Sequence, residues 1–379
     1  MKRPLKWIIT LIGIVAFLSF GGLLPGEPLV DRAMVVGFGV DLTEEGELNV
    51  SAQILNPSPA AQQQGIGAKV VTSRHETISG AMTYISEKSG KTVALTHCNV
   101  VLIGENVAKS QYFYSVLNYL ITNSYLSENA FVFVTEGKAE ELLKSNTGFG
   151  GNASFYVQRL VGMYGDYNNV ANKTLQRFVV DYHQLGQANW LPLIKTEPTN
   201  PDVSAGGDQS STDKQILFDI NSVMIFKEND FVAEYGSEGT EAINYVMNKV
   251  SKGNVETIGD NNEKIVMYII DKQNYYKYDL DKKTVKIRIE ISTLLKEIID
   301  YSGEDKYIDR TSLTEAEIAR AEKSIADNIL SFYTEMQSYD VDIFSFYEGF
   351  YSKFGNIALN MDIKDIALEI EVEVKANDV

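Results

Sequence analysis

The chain has 379 residues, 44% of them hydrophobic and 22% charged, a net charge of −17 and one cysteine, Cys98. This is globular material, long enough for more than one core; it excludes a disordered or fibrous chain, and the lone cysteine excludes an intrachain disulfide framework. Three cations, Lys2, Arg3 and Lys6, lie within the first seven residues and leave −20 for the rest, a balance that argues against nucleic acid and anionic headgroups as direct partners.

Those cations lead into an uncharged apolar run from Trp7 to Leu24, closed by Pro25 and Gly26. A basic start followed by such a run is an export signal whose positive end stays in the cytoplasm, so the chain beyond about Val30 lies outside the membrane. Eighteen residues give about 27 Å of helix, near the lower limit of a spanning segment. The run fits an uncleaved anchor, and Ser19 and Gly21 also fit cleavage after Gly21. Residues 1–27 are therefore the signal or anchor segment.

Met34 to Val40 and Leu48 to Ile54 alternate in strand fashion and are joined by Thr43–Glu47, a hairpin turn containing Gly46. From His75 the period becomes helical, with Ile78, Met82 and Ile85 on one face and Gly90 as the stop. Asn99–Gly104 is a continuous apolar run suited to a strand covered on both faces. A helix over 107–122, a strand over Ala130–Thr135 and a helix over Lys138–Lys144 follow. Strand and helix in alternation predict an α/β fold with right-handed crossovers. Residues 148–190 carry helical spacing and close an N-terminal α/β domain, 28–195.

Residues 196–214 hold Pro198, Pro201, Gly206, Gly207 and a Ser-Ser-Thr-Asp cluster, which predicts a linker before a C-terminal α/β region, 215–379. There, Ile220–Phe226 and Phe231–Tyr235 are strands about a turn at Lys227–Asp230, and a helix covers 239–249. Val285, Ile287, Ile289 and Ile291 mark a strand with one wet face. Thr314-Glu-Ala-Glu317 is a capping box for a long helix carrying Ile318, Ile325, Ile329, Phe332 and Met336. Ile366, Leu368, Ile370, Val372 and Val374 alternate with charged residues in a final strand, whose charges discourage edge pairing.

Chemistry-bearing constellations are scarce. The three histidines, His75, His97 and His183, show no zinc spacing, and His97 and Cys98 are neighbours that point to opposite faces of an extended segment. Gly37-Phe-Gly39 lacks the third glycine of a dinucleotide fingerprint and reads as a close-packed strand. Ser211-Thr-Asp-Lys214 matches a Ser-x-x-Lys pattern but sits in the polar linker, and Gly148-Phe-Gly-Gly151 lacks the Gly-Lys-Ser/Thr of a phosphate loop. Phe344, Phe346, Tyr347, Phe350, Tyr351 and Phe354 have the spacing of core residues. No catalytic, metal or cofactor residue is singled out, and the ligand-binding residues stay unknown.

In order along the chain, several segments carry a resemblance: Asp31–Asp41 (DRAMVVGFGVD), Val50–Pro57, Thr77–Ala81, Thr96-His97, Val100–Glu105, Ala130–Val134, Gly137–Leu143, Val341–Phe344, Phe350-Tyr351 and Val372–Lys375. The chain resembles the Ger(x)C family, the C subunit of GerA-type nutrient germinant receptors of spore-forming Gram-positive bacteria. The resemblance implies a non-enzymatic subunit on the outer face of the spore inner membrane, without cofactor, working with multi-spanning A and B subunits in spore germination. It also implies a body of three domains, the C-terminal region dividing near Val285. One departure stands out: the family's lipobox cysteine is absent, since Leu18-Ser19-Phe20 leads to Gly21, which favours Trp7–Leu24 as the anchor. The other functional class considered is an exported solute-binding protein clamping a small ligand between the two halves. A wall hydrolase would need a carboxylate pair that no pattern picks out.

Overall fold

A computed structural model describes residues 13–15, 32–55, 67–145, 147, 152–186, 188–198, 216–247, 250–300 and 312–377. Of the expected anchor only Gly13–Val15, helical, is described; the rest of it, Gly148–Gly151 and Ser211–Lys214 lie outside the described residues. Among the described residues no helix is long and apolar enough to cross a membrane.

The first half is built as the alternating pattern predicts. β1 (Arg32–Leu42) and β2 (Leu48–Leu55) form the expected hairpin, its turn closed by Thr43 N–H donating to the Glu47 carbonyl at 2.8 Å, and β3 (Ala68–His75) adds antiparallel to β2. α1 (Ile78–Ser89) starts at Thr77, whose hydroxyl accepts from Gly80 N–H, and stops at Gly90, whose left-handed φ of 63° favours a residue without Cβ. β4 (Thr92–Ala94) and the wholly buried β5 (Val100–Gly104) follow.

The helix expected over 107–122 is two helices, α2 (Glu105–Ala108) and α3 (Phe113–Thr122). Ser110 interrupts it: its hydroxyl donates to the Val107 carbonyl and so competes with the helical bond. Next come β6 (Phe131–Thr135), α4 (Ala139–Lys144), α5 (Ala153–Tyr164), α6 (Leu175–Tyr182) and β7 (Ala188–Pro198). The helical reading of 148–190 thus holds for α5 and α6 but not for Ala188–Trp190, which begin a strand.

β8 (Ile216–Lys227) and β9 (Asp230–Tyr235) then turn back on β7. All nine strands form one mixed sheet, in the order β3-β2-β1-β5-β6-β7-β8-β9, with β4 against the start of β1. β1, β5, β6 and β7 run parallel, so their first residues share one edge of the sheet, the amino-terminal edge. The expected linker begins inside β7, and 199–214 lie outside the described residues.

Helices cover both faces. α1, α3 and α6 bury Ile78, Ile85, Phe113, Leu117 and Phe178 against Phe38, Val101 and Val132; α4 and α5 bury Leu142, Leu143 and Val157 against Val100, Leu102 and Phe133. The second face explains the paired glycines of β1. A Cβ on Gly37 would sit 1.9 Å from Ser154 Oγ, and one on Gly39 would sit 3.0 Å from Leu143 Cδ1. Gly37→Ala is therefore expected to lower stability by about 3 kcal/mol through overpacking, and Gly37→Val by more, as read from the midpoint of denaturant unfolding.

The remaining elements are α7 (Ser237–Met247), β10 (Asn254–Ile258), β11 (Lys264–Asp279), β12 (Thr284–Ile299), α8 (Glu315–Ser338), α9 (Phe346–Phe354) and β13 (Ala367–Asn377). β10–β13 make a second sheet in sequence order, with β13 parallel to β12. The expected division near Val285 falls inside the β11–β12 hairpin. α7 and α8 contribute to a core shared by the two sheets, in which Trp190, Val223 and Ile225 of the large sheet join Ile243, Ile329, Phe332, Ile287 and Ile289. The architecture is thus mixed α/β, with sheets flanked by helices.

The capping box forms as spelled: Glu317 N–H donates to Thr314 Oγ1 and Thr314 N–H to Glu317 Oε2. On the wet face of the second sheet, Lys286 reaches Glu371 at 3.4 Å, Lys375 reaches Glu290 at 2.7 Å, and Arg288 pairs with Glu373. Each of these pairs runs diagonally, to the residue two positions beyond the register partner, and links β12 to β13 across the parallel pairing. The free edge of β13 is blunted by Glu322, which accepts the Val374 N–H at 2.9 Å.

Candidate functional site

The three histidines do not meet. His75 closes β3, where its Nδ1 accepts from Thr77 N–H; His97 is exposed in the turn before β5; His183 ends α6 with its ring edge-on to Tyr182. Cys98 is buried, its thiol donating to the Val100 carbonyl, and burial pushes it up to about 12, so it is no thiolate nucleophile. Among the described residues no three His, Cys, Asp or Glu side chains group as a metal site.

The polar side chains that do converge are buried and used as clamps. Asp41 ends β1 at 2% exposure and accepts the first two amide protons of α4, Ala139 N–H at 2.7 Å and Glu140 N–H at 2.9 Å. Around it, Asn49 donates to Glu140 Oε2 at 2.6 Å, and Gln53 ties the Leu143 carbonyl to Ser154 Oγ, each at 2.7 Å. Asp342, also 2% exposed, does the same for α9 through Phe346 and Tyr347 N–H. Burial raises both carboxyls to about 6 against the pull of their amide donors. With both oxygens engaged inside the protein, neither is placed to act on a substrate.

Other buried charges are absorbed in the same way. Lys173 donates to Asp181, to Asn189 and to the Trp190 carbonyl, with its ammonium 4.3 Å from the Trp190 ring centre. Lys272, Asn274 and Tyr276, alternate residues of β11, all donate to the last carbonyls of α7. Of the aromatic run, Phe344, Phe346 and Phe350 are buried, as core spacing implied, and Tyr351 is at the surface.

One open cleft of about 470 Å³ lies at the amino-terminal edge, between α1, β4 and the end of α3. Met82, Leu95 and Tyr119 supply its apolar surface and Arg32, Thr92, Thr96 and Asn123 its polar one. Sequence reading did not find this cleft, because its residues come from segments separated by up to 93 positions and share no motif.

Family models match nearly the whole body of the chain: "Spore germination protein N-terminal domain" over 26–196 and "Spore germination B3/GerAC like, C-terminal" over 221–379. The chain belongs to the Ger(x)C family of spore germination proteins. Spore germination protein KC of Bacillus subtilis (strain 168) is 23% identical over 270 residues, covering 65% of this chain and 63% of that protein, so less than two thirds of the relative's length is matched. The crystal structure of the GerBC protein aligns with 90% of this chain and 97% of its own at 13% identity, with a TM-score of 0.49. In this Ger(x)C protein the segments that carried the resemblance supply Gly37, Gly39, Asp41, Gln53 and Asp342 to the contacts described above.

Proposed function

We propose that this Ger(x)C protein is the non-enzymatic subunit of a nutrient germinant receptor. It is held at the outer face of the spore inner membrane by Trp7–Leu24 and docked on multi-spanning A and B subunits. The observation that carries this reading is that its family segments place their polar groups in buried helix clamps, Asp41 and Asp342 foremost, instead of around a reactive centre. Such a body is a rigid platform. The solute-clamp alternative needs a hinge at 196–214, and the antiparallel pairing of β7 with β8 on either side of that segment counts against it.

The anchoring part is tested by Ile14→Arg with Val15→Arg, two outward-facing positions midway along the apolar run. Each arginine near the centre of a spanning helix is expected to cost about 3 kcal/mol. The doubly substituted chain should leave the membrane fraction of spores, and germination in response to nutrient should fall with it. A variant still wholly in that fraction, with normal germination, would sink the anchor reading.

A further inference from the structure

We infer that the amino-terminal edge of the large sheet, around the start of β1 and the cleft beside it, is the face this protein turns toward an anionic lipid surface. The inference rests on the anchored reading above. Seven residues separate Leu24 from Arg32, so even fully extended they hold the first residue of β1 within about 28 Å of the end of the apolar run. Strand direction then decides what else lies there. Because β1, β4, β5 and β6 run parallel, their leading ends share this edge, together with the end of β2, the start of β3 and the last turns of α1 and α3.

Charge is segregated along the same axis. Near the start of β1 lie Arg32, Lys69 and Lys91, with Glu87 and Glu128 as the acids described there. The opposite edge carries Glu44, Glu45, Glu47, Glu76, Glu105, Glu136, Glu140 and Glu141 against Arg74, Lys109, Lys138 and Lys144. Among these residues the near edge is net positive by one and the far edge net negative by four. Beyond a Debye length of about 8 Å in physiological salt, the far acids are screened from a surface that the near cations touch.

The near edge also has the side chains an interface favours. Tyr125, 71% exposed, stands at the mouth of the cleft beside Tyr119 and Asn123, an apolar body with a polar tip. The cleft, with Arg32 and the threonine hydroxyls above Met82 and Leu95, suits a phosphate headgroup over the top of an acyl chain. The expectation that anionic headgroups are repelled, drawn from net charge, is thereby reversed locally.

The test uses the full chain reconstituted in vesicles of phosphatidylcholine with phosphatidylglycerol, some lipid carrying a headgroup spin label. Tyr125→Cys and Glu45→Cys are each labelled with a fluorophore; native Cys98 is buried and stays unlabelled. Quenching at 125 should exceed that at 45 by about threefold, and should fall in phosphatidylcholine alone and in Lys69→Glu with Lys91→Glu. Equal quenching at the two positions, or no dependence on lipid charge, in chains that float with the vesicles would overturn the inference and leave the anchor intact. Chains that do not float would overturn the anchored reading and this inference with it.

Discussion

A chain that stops after Pro198 is expected to be insoluble, although the N-terminal family model ends at residue 196. β7 is not an edge strand: Ala188–Pro198 pair with Ile216–Lys227 along almost their whole length. Removing the second half exposes that row of backbone groups and uncovers Trp190, which is 3% exposed and packs in the core shared with Val223, Ile225 and α7. A long bare strand beside a large apolar patch is an aggregation site, in a fold whose net stability is only roughly 5–15 kcal/mol. The converse also holds. Protease cleavage between 199 and 215 in the intact protein should leave two pieces that elute together in size exclusion and separate only in denaturant. A soluble, cooperatively unfolding fragment of residues 28–198 would contradict the continuous sheet.

Asp41→Ala is expected to destabilise the protein by about 3 kcal/mol, because it leaves two buried amide protons at the start of α4 without an acceptor. The same residue gives stability a pH signature. Its carboxyl is raised from the ordinary 3.8 to about 6, as is that of Asp342, with burial the largest cause in both. A raised carboxyl binds its proton more tightly in the folded state, so its contribution is complete below pH 4 and is lost as pH rises through 6. A displacement of that size corresponds to about 3 kcal/mol at most for each group. Glu241, raised to about 7 by burial with Glu238 and Glu256 nearby, acts in the same direction, while the lowered Asp166 and Glu140 act against it in more acidic solution. Unfolding monitored from pH 4.5 to 7.5 should show stability declining across that range, and the decline should be shallower in Asp41→Asn. An identical slope in the two proteins would show that Asp41 is not the group responsible.

Elements with one apolar face and a signalled end were legible in the sequence. The β1–β2 hairpin had its turn, α1 had Gly90, α8 had its capping box and β13 its strict alternation. β11 was not legible, because the side chains that turn toward α7 along its second half are Lys272, Asn274 and Tyr276. They are polar because they serve the carbonyl end of α7, and a hydrophobic pattern cannot show that. β3 escaped for a related reason: Ala68–His75 form an edge strand with few fully buried residues. Ala188–Trp190 were drawn into the preceding helical spacing, since the start of a strand has no cap to announce it.

The candidate site was less legible than the fold. Gly37 and Gly39 were read as marks of a close-packed strand, which the contacts with Ser154 and Leu143 bear out. Asp41 was visible only as one acid closing an apolar strand. Its partners lie 98 and 99 positions away, and only the crossover from β1 through β5 and β6 brings them together. The cleft beside Arg32 has the same character, being a product of topology.

The central claim is that this protein is a docked subunit of a membrane receptor, and the most direct measurement is of what it holds. With the chain tagged at its own locus, spore inner membrane solubilised in mild detergent and the captured material identified by mass spectrometry, two multi-spanning subunits should be recovered in near-equal amounts. Recovery of the tagged protein alone, released in soluble form, would contradict the account.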